Sequence, residues 1–234
     1  MIIGVRCLKI SRNNYNKIIQ DTNSGIAESY RSDNATSDKN DSKAAYAYIE
    51  PDKFKRSQND SILKEQLHIT EKEIENIKLV FKSEHSRNHP GTTFIVHKNV
   101  PLYINSSAFY TYIKLKDSGS MSMPLVVRYY GDSLMFVDKI SIKADNSTFH
   151  LVEKMGREYD VYSVWEWLEI EPNVDQLLMI QTIVNSEITR IRFQGGKYHK
   201  DWILTQKEIV GLKDTLLYYR LLIRKRNLEE LLNI

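Results

Sequence analysis

The chain has 234 residues, 41% of them hydrophobic, and sets 33 Lys and Arg against 30 Asp and Glu for a formal charge of +3. That is enough apolar material for a core, and 9 Gly with 5 Pro exclude a loop-dominated or collagen-like chain. So small a charge excess argues against a dedicated nucleic-acid binder, and a single cysteine, Cys7, excludes an intrachain disulfide framework.

Residues 1–30 open with the apolar run "IIGVRCLKI" and continue as "NNYNKIIQDTNSGIAESY", which predicts a short strand and helix. The run lacks a signal peptide's longer apolar core and its cleavage site. As written the chain is expected in the cytoplasm; a misplaced start codon would make it extracellular or lipid-anchored. Residues 31–60, from "RSDNATSDKNDSKA", hold few large apolar side chains and predict a flexible linker. Residues 61–234 are expected to form the folded domain.

Thr70 and Glu73 have the spacing of a capping box and predict a helix over 71–83. Pro90-Gly91 then marks a turn. "TTFIVH", "FYTYIKL", "PLVVRYYG", "LMFVDKISIKAD" and "STFHLV" are short runs bounded by turn residues, the pattern of an antiparallel meander. Ile140 and Ile142 alternate with Lys139, Ser141 and Lys143, so that strand has one wet face. "SVWEWLEI" puts Trp165 and Trp167 on one face and Glu166 and Leu168 on the other. "NVDQLLMIQTIVNS" predicts a helix capped by Asn173 with Val174, Leu177, Leu178, Gln181 and Val184 setting its face. "EITRIRFQG" predicts a strand that turns Thr189, Ile191 and Phe193 away from Ile188, Arg190 and Arg192. Thr205 and Glu208 form another capping box, opening a helix with Ile209, Leu212, Leu216, Tyr219 and Ile223 on one stripe. No apolar run reaches the roughly 18–20 residues needed to span a bilayer. The fold class is therefore α+β: a mainly antiparallel sheet, open to curling into a sandwich, covered by two or three helices behind a flexible N-terminal segment.

Between about residues 90 and 220 the segments "TTFIVHKNVPLYIN", "FYTYIKLKDSG", "LVVRYYGDSLMFVDKISIKADNSTFHL", "VWEWLEI" and "IVNSEITRIRFQGGKYHKDWILTQKEIVGLKDTLLYYRLL" resemble an uncharacterised family of small Gram-positive bacterial proteins, often exported or lipid-anchored. The resemblance implies the architecture and no activity, and it carries over no catalytic or binding residue. As written, the opening run is not expected to act as the export signal that the resemblance implies.

Gly195-Gly196 after a strand invites a phosphate-loop reading, but residues 197–204 separate the pair from the helix that begins after Thr205. A phosphate loop needs its glycines at the first helical turn, so the pair predicts a turn. His85 and His89 have a metal-ligand spacing, yet Asn88 and Pro90 end the helix such a site would need; no metal or cofactor is expected. Asp132, Asp138 and Asp145 read as turn and strand-end residues, and the five Asn-x-Ser/Thr matches are given no role. The Trp165/Trp167 pair is the candidate ligand-binding site, suited to stacking on a sugar or peptide. Val164, Leu168 and Ile170 make the strand apolar on both faces, however, and such a strand is usually buried in a two-layer domain, so the core is the favoured place for both rings. Arg220, Arg224, Lys225 and Arg226 are the candidate partner-binding cluster on the last helix. The leading expectation is a noncatalytic binding or interaction protein. The alternatives are an enzyme gathering His150, Asp138, Arg192 and His199 from separate strands, or a cell-surface glycan or peptide binder.

Overall fold

The computed structural model describes residues 51–101 and 105–233, with side chains from residue 59. The N-terminal segment 1–30 and the linker up to residue 50 lie outside the described residues. Among the described residues are three helices, α1 (Pro51–Lys78), α2 (Val174–Val184) and α3 (Gln206–Leu232), and three antiparallel sheets of four strands each. The fold is α+β.

Helix α1 starts at Pro51, so residues 51–60, expected to extend the linker, are helical. Thr70 is not a cap. It is fully buried inside α1, and its hydroxyl donates back to the Gln66 carbonyl at 2.7 Å. The side-chain spacing of a capping box occurs here in mid-helix, with Leu63, Leu67, Thr70, Ile74 and Ile77 forming the inward stripe. The helix ends at Lys78 rather than continuing to 83, because Phe81 pairs with His97 and opens a strand.

The first sheet takes the order β1 (Phe81–His85), β2 (Thr92–His97), β4 (Ile113–Lys116), β5 (Met121–Ser122). The second takes β3 (Ala108–Thr111), β6 (Leu125–Gly131), β10 (Val164–Ile170), β9 (Gly156–Tyr159). The run "FYTYIKL" is thus two strands, since the chain passes from one sheet to the other at Tyr112. Its partner makes the same passage at Met123-Pro124, where Tyr112 N–H donates to the Pro124 carbonyl. Proline has no N–H to offer a ladder, which suits it to such a corner.

The third sheet takes β12 (His199–Ile203), β11 (Thr189–Gly195), β7 (Val137–Ala144), β8 (Ser147–Leu151). Strand β11 alternates strictly, with Thr189, Ile191, Phe193 and Gly195 buried and Arg190, Arg192 and Gln194 exposed. The glycine pair forms the β11–β12 hairpin turn, where Gly195 N–H donates to the Tyr198 carbonyl at 2.9 Å. It therefore joins two strands, and most of the stretch between the pair and the helix is β12. A Cβ on Gly195 would lie 1.9 Å from the Met135 carbonyl oxygen, so the residue must be glycine to let that backbone approach.

The main core lies where the inner faces of the second and third sheets meet α2 and the first half of α3. Leu125, Val127 and Leu168 face Ile140, Ile142, Ile191 and Phe193, and the Tyr129 and Phe193 rings stand 5.6 Å apart. Helix α2 keeps its predicted cap, with the Asn173 and Gln176 side chains each accepting the other's backbone N–H. Its buried face is Met179, Ile180, Ile183 and Val184, leaving Val174 and Leu178 exposed. The segment is apolar on both sides, so packing decided between them. A second core joins Ile74, Phe81, Ile95, Ile113, Tyr218 and Leu221. Helix α3 serves both: Ile209, Leu212 and Leu216 enter the first, Tyr218 and Leu221 the second.

Candidate binding faces

Alternation along β10 has an unexpected sense. The inward residues are Val164, Glu166 and Leu168, and the outward ones are Trp165 and Trp167, both half-buried. The second sheet therefore puts a carboxylate inside and its two indoles outside. Glu166 is 0% exposed, a burial tolerable only because four N–H groups donate to it. Met135 and Phe136 N–H reach Oε1, while Val137 N–H and Arg157 Nε reach Oε2, all at 2.8–2.9 Å. These bonds hold the bend before β7, where Phe136 has φ 54°. On the outer face Trp165 stands opposite Tyr130 and Glu158, and Trp167 opposite Arg128 and Gly156. The Trp167 ring lies over Gly156, where a Cβ would meet it at 2.7 Å. Tyr110 completes the ring set, its pKa raised mainly by burial. The two tryptophans are thus not core residues in the sense of the main cluster; they pave the far side of the sheet.

The exposed face of the third sheet collects most of the residues considered for an enzyme. Cross-strand register lines up Asp201, Arg192, Ser141 and His150 in one row across β12, β11, β7 and β8. Arg192 grips Asp201 bidentately, through Nε at 2.6 Å and Nη2 at 2.8 Å. That hydrogen bond lowers the Asp201 pKa and raises the Arg192 pKa. Ser141 Oγ lies 3.1 Å from His150 Nδ1. His199 sits one row away, opposite Gln194. Asp138 is the extra residue where the β7–β11 register shifts. Arg192 and His150 thus share a row with Ser141, a residue the sequence reading did not consider, while His199 and Asp138 flank it. The Arg192–Asp201 pair depends on a hairpin the sequence did not announce.

The basic cluster of α3 does not form one patch. Arg220 donates to Gln181 on α2. Lys225 pairs with Glu71 on α1 at 2.9 Å and with Glu229 at 3.6 Å, and its pKa is raised chiefly by the Glu71 hydrogen bond. Arg226 donates to the Gly119 carbonyl at 2.6 Å. Arg224 is exposed on the same turn. Three of these cations thus reach in different directions to brace the helix against its neighbours.

Of the remaining histidines, His85 and His97 have side-chain partners. His85 Nδ1 lies 3.0 Å from Thr93 Oγ1. Buried His97 accepts the Asn99 N–H at Nδ1, which leaves the proton on Nε2 to donate to Asp214 at 3.2 Å and tie β2 to α3. No group of three or more His, Cys, Asp or Glu suited to a metal ion occurs among the described residues. A shallow cavity of about 360 Å³ between the β7–β8 turn and the end of α2 is lined by Asp145, Asn146, Gln181 and Asn185. Asp145 there accepts the Glu187 and Ile188 N–H groups. No described helix is long and apolar enough to cross a membrane. No family model, no curated protein and no solved structure matches the chain.

Proposed function

We propose that the chain is a noncatalytic binding protein whose contact surface is the ring-bearing outer face of the second sheet, with Trp165 and Trp167 as ligand-binding residues. The observation that carries this reading is the inverted alternation of β10: Glu166 is enclosed while two indoles and Tyr130 face outward. Indole and phenol rings offer a large apolar area at low entropic cost and keep a polar edge for water or a ligand, which is why they dominate contact surfaces. A sugar ring or an extended peptide suits such a paved sheet. The resemblance to an often exported bacterial family supports a cell-surface glycan or peptide as the ligand class.

A binding screen against glycans and peptides, followed by tryptophan fluorescence, tests the reading. Trp165→Ala should abolish the response while its urea unfolding midpoint stays close to that of the parent. Retained binding in that variant would reject the assignment. The enzyme reading draws on Ser141 beside His150, which has the elements of an activated nucleophile. Those residues stand on an open sheet face whose strand amides are engaged in ladder pairing, so an oxyanion would find few backbone donors there. A serine-directed activity probe labelling Ser141 would favour the enzyme.

A further inference from the structure

The same exposed face of the third sheet carries an unbalanced charge pattern. Arg190 and Lys143 are directly opposite each other across the β11–β7 ladder. Arg192 follows on the same face of β11, and Lys139 lies opposite Gln194 one row beyond. Like charges in directly opposed positions destabilise a sheet. Among the described residues Lys139, Lys143 and Arg190 make no ion pair within 4.0 Å, and against the four cations Arg190, Arg192, Lys143 and Lys139 two carboxylates stand at exposed strand positions there: Asp138, at the register shift beside Lys139, and Asp201. Arg192 is already paired with it, and Arg190 adds to the lowering of its pKa. No Phe, Tyr or Trp occupies a strand position on this face, so the stacking platform that single-stranded nucleic acids use is missing.

We infer that this face docks an acidic polypeptide segment, with Arg190, Lys143 and Lys139 receiving its carboxylates. The Arg192–Asp201 fork shows the recognition unit already formed on the surface: a planar guanidinium taking both oxygens of one carboxylate. Alternate side chains on an extended peptide recur at roughly 6.5–7 Å, the same spacing as Arg190 and Arg192 on β11. An acidic segment lying along the sheet can therefore meet successive cations in register. The attraction would relieve the repulsion between Arg190 and Lys143, so the free protein holds a strain that the partner removes. The surface is independent of the tryptophan face and lies on a different sheet.

The test uses the full chain and a fluorescein-labelled poly-glutamate peptide, read by anisotropy at low and at physiological salt. The wild type should bind, and added salt should weaken binding. The double variant R190E/K143E exchanges one like-charged pair for another, so the ladder is no more strained, and affinity should fall by about tenfold or more. Lys82→Glu, on the first sheet, should bind as the parent does, and circular dichroism should show all three proteins folded. Absence of poly-glutamate binding, or equal binding by the double variant, overturns the inference. So does tighter binding of a single-stranded oligonucleotide or of phosphatidylserine vesicles at the same ionic strength.

Discussion

Arg157 and Glu166 are direct cross-strand partners on β9 and β10, joined at 2.9 Å, with the carboxylate sealed from water and the guanidinium about one-third exposed. Removing one member leaves the other's charge, or three backbone donors, without a partner in a low-dielectric interior. Glu166→Ala is expected to cost about 3–5 kcal/mol. Arg157→Ala should cost less, because Glu166 keeps its three backbone donors and water can reach the vacated site. Urea unfolding of both variants checks the order.

Gly195 and Gly196 should respond very differently to the same added methyl group. At Gly195 the new Cβ would press on the Met135 carbonyl, while at Gly196 nothing lies within 4 Å. Gly195→Ala is expected to destabilise by about 1–3 kcal/mol, as overpacked sites do. Gly196→Ala should lie within about 0.5 kcal/mol of the parent. Thermal melts of the pair decide it.

Thr205 and Thr70 have the same i, i+3 glutamate but different tasks. Thr205 caps α3, accepting the Glu208 N–H while the Glu208 carboxylate takes the Thr205 N–H. Thr205→Ala should cost about 1 kcal/mol. Thr70→Ala loses a buried methyl group worth about 0.8 kcal/mol and gains several tenths in helix propensity, so its net effect should be small. Denaturant midpoints compare them directly.

Tyr112 donates to Glu169 at 2.7 Å, and burial, with this bond, raises its pKa well above the ordinary 10.0. Tyr110, Tyr129 and Tyr218 are raised too, each mainly by burial. A raised folded-state pKa gives stability that is full below the unfolded value and is lost as pH climbs from there towards the folded one. The unfolding free energy should therefore be level with respect to these groups up to about pH 10 and fall beyond it. Tyr112→Phe should be slightly weaker at neutral pH and show a shallower alkaline decline, measurable by urea titration across that range.

The elements readable in the sequence are those whose signal is local. The caps at Asn173 and Thr205 need only a side chain and the amide three residues on, and both helices begin where the sequence places them. Alternation in "KISIK" and "TRIRF" gives the correct buried faces of β7 and β11. The rest depended on partners distant in the chain. "FYTYIKL" shows no break at Tyr112, because the division between sheets comes from where β2 and β6 lie. Strands β1, β9 and β12 are polar edge strands whose outer residues lack the alternation that marks a half-buried strand. Glu166 looks like a surface residue until Arg157 and the backbone at 135–137 supply its donors. The separation of Trp165 and Trp167 from Glu166 was legible, but which side met the core was not, since Val164 and Leu168 needed the same interior as the carboxylate.

The bent ribbon formed by β3–β4 and β5–β6 has a mechanical consequence. Because the same two chain segments supply neighbouring strands to both the first and second sheets, neither sheet can peel away without fraying the other at the Tyr112 corner. The two apolar clusters, though separate as contact networks, are coupled through shared backbone, and α3 spans both from behind. Amide exchange from these sheets should accordingly report one cooperative opening rather than two.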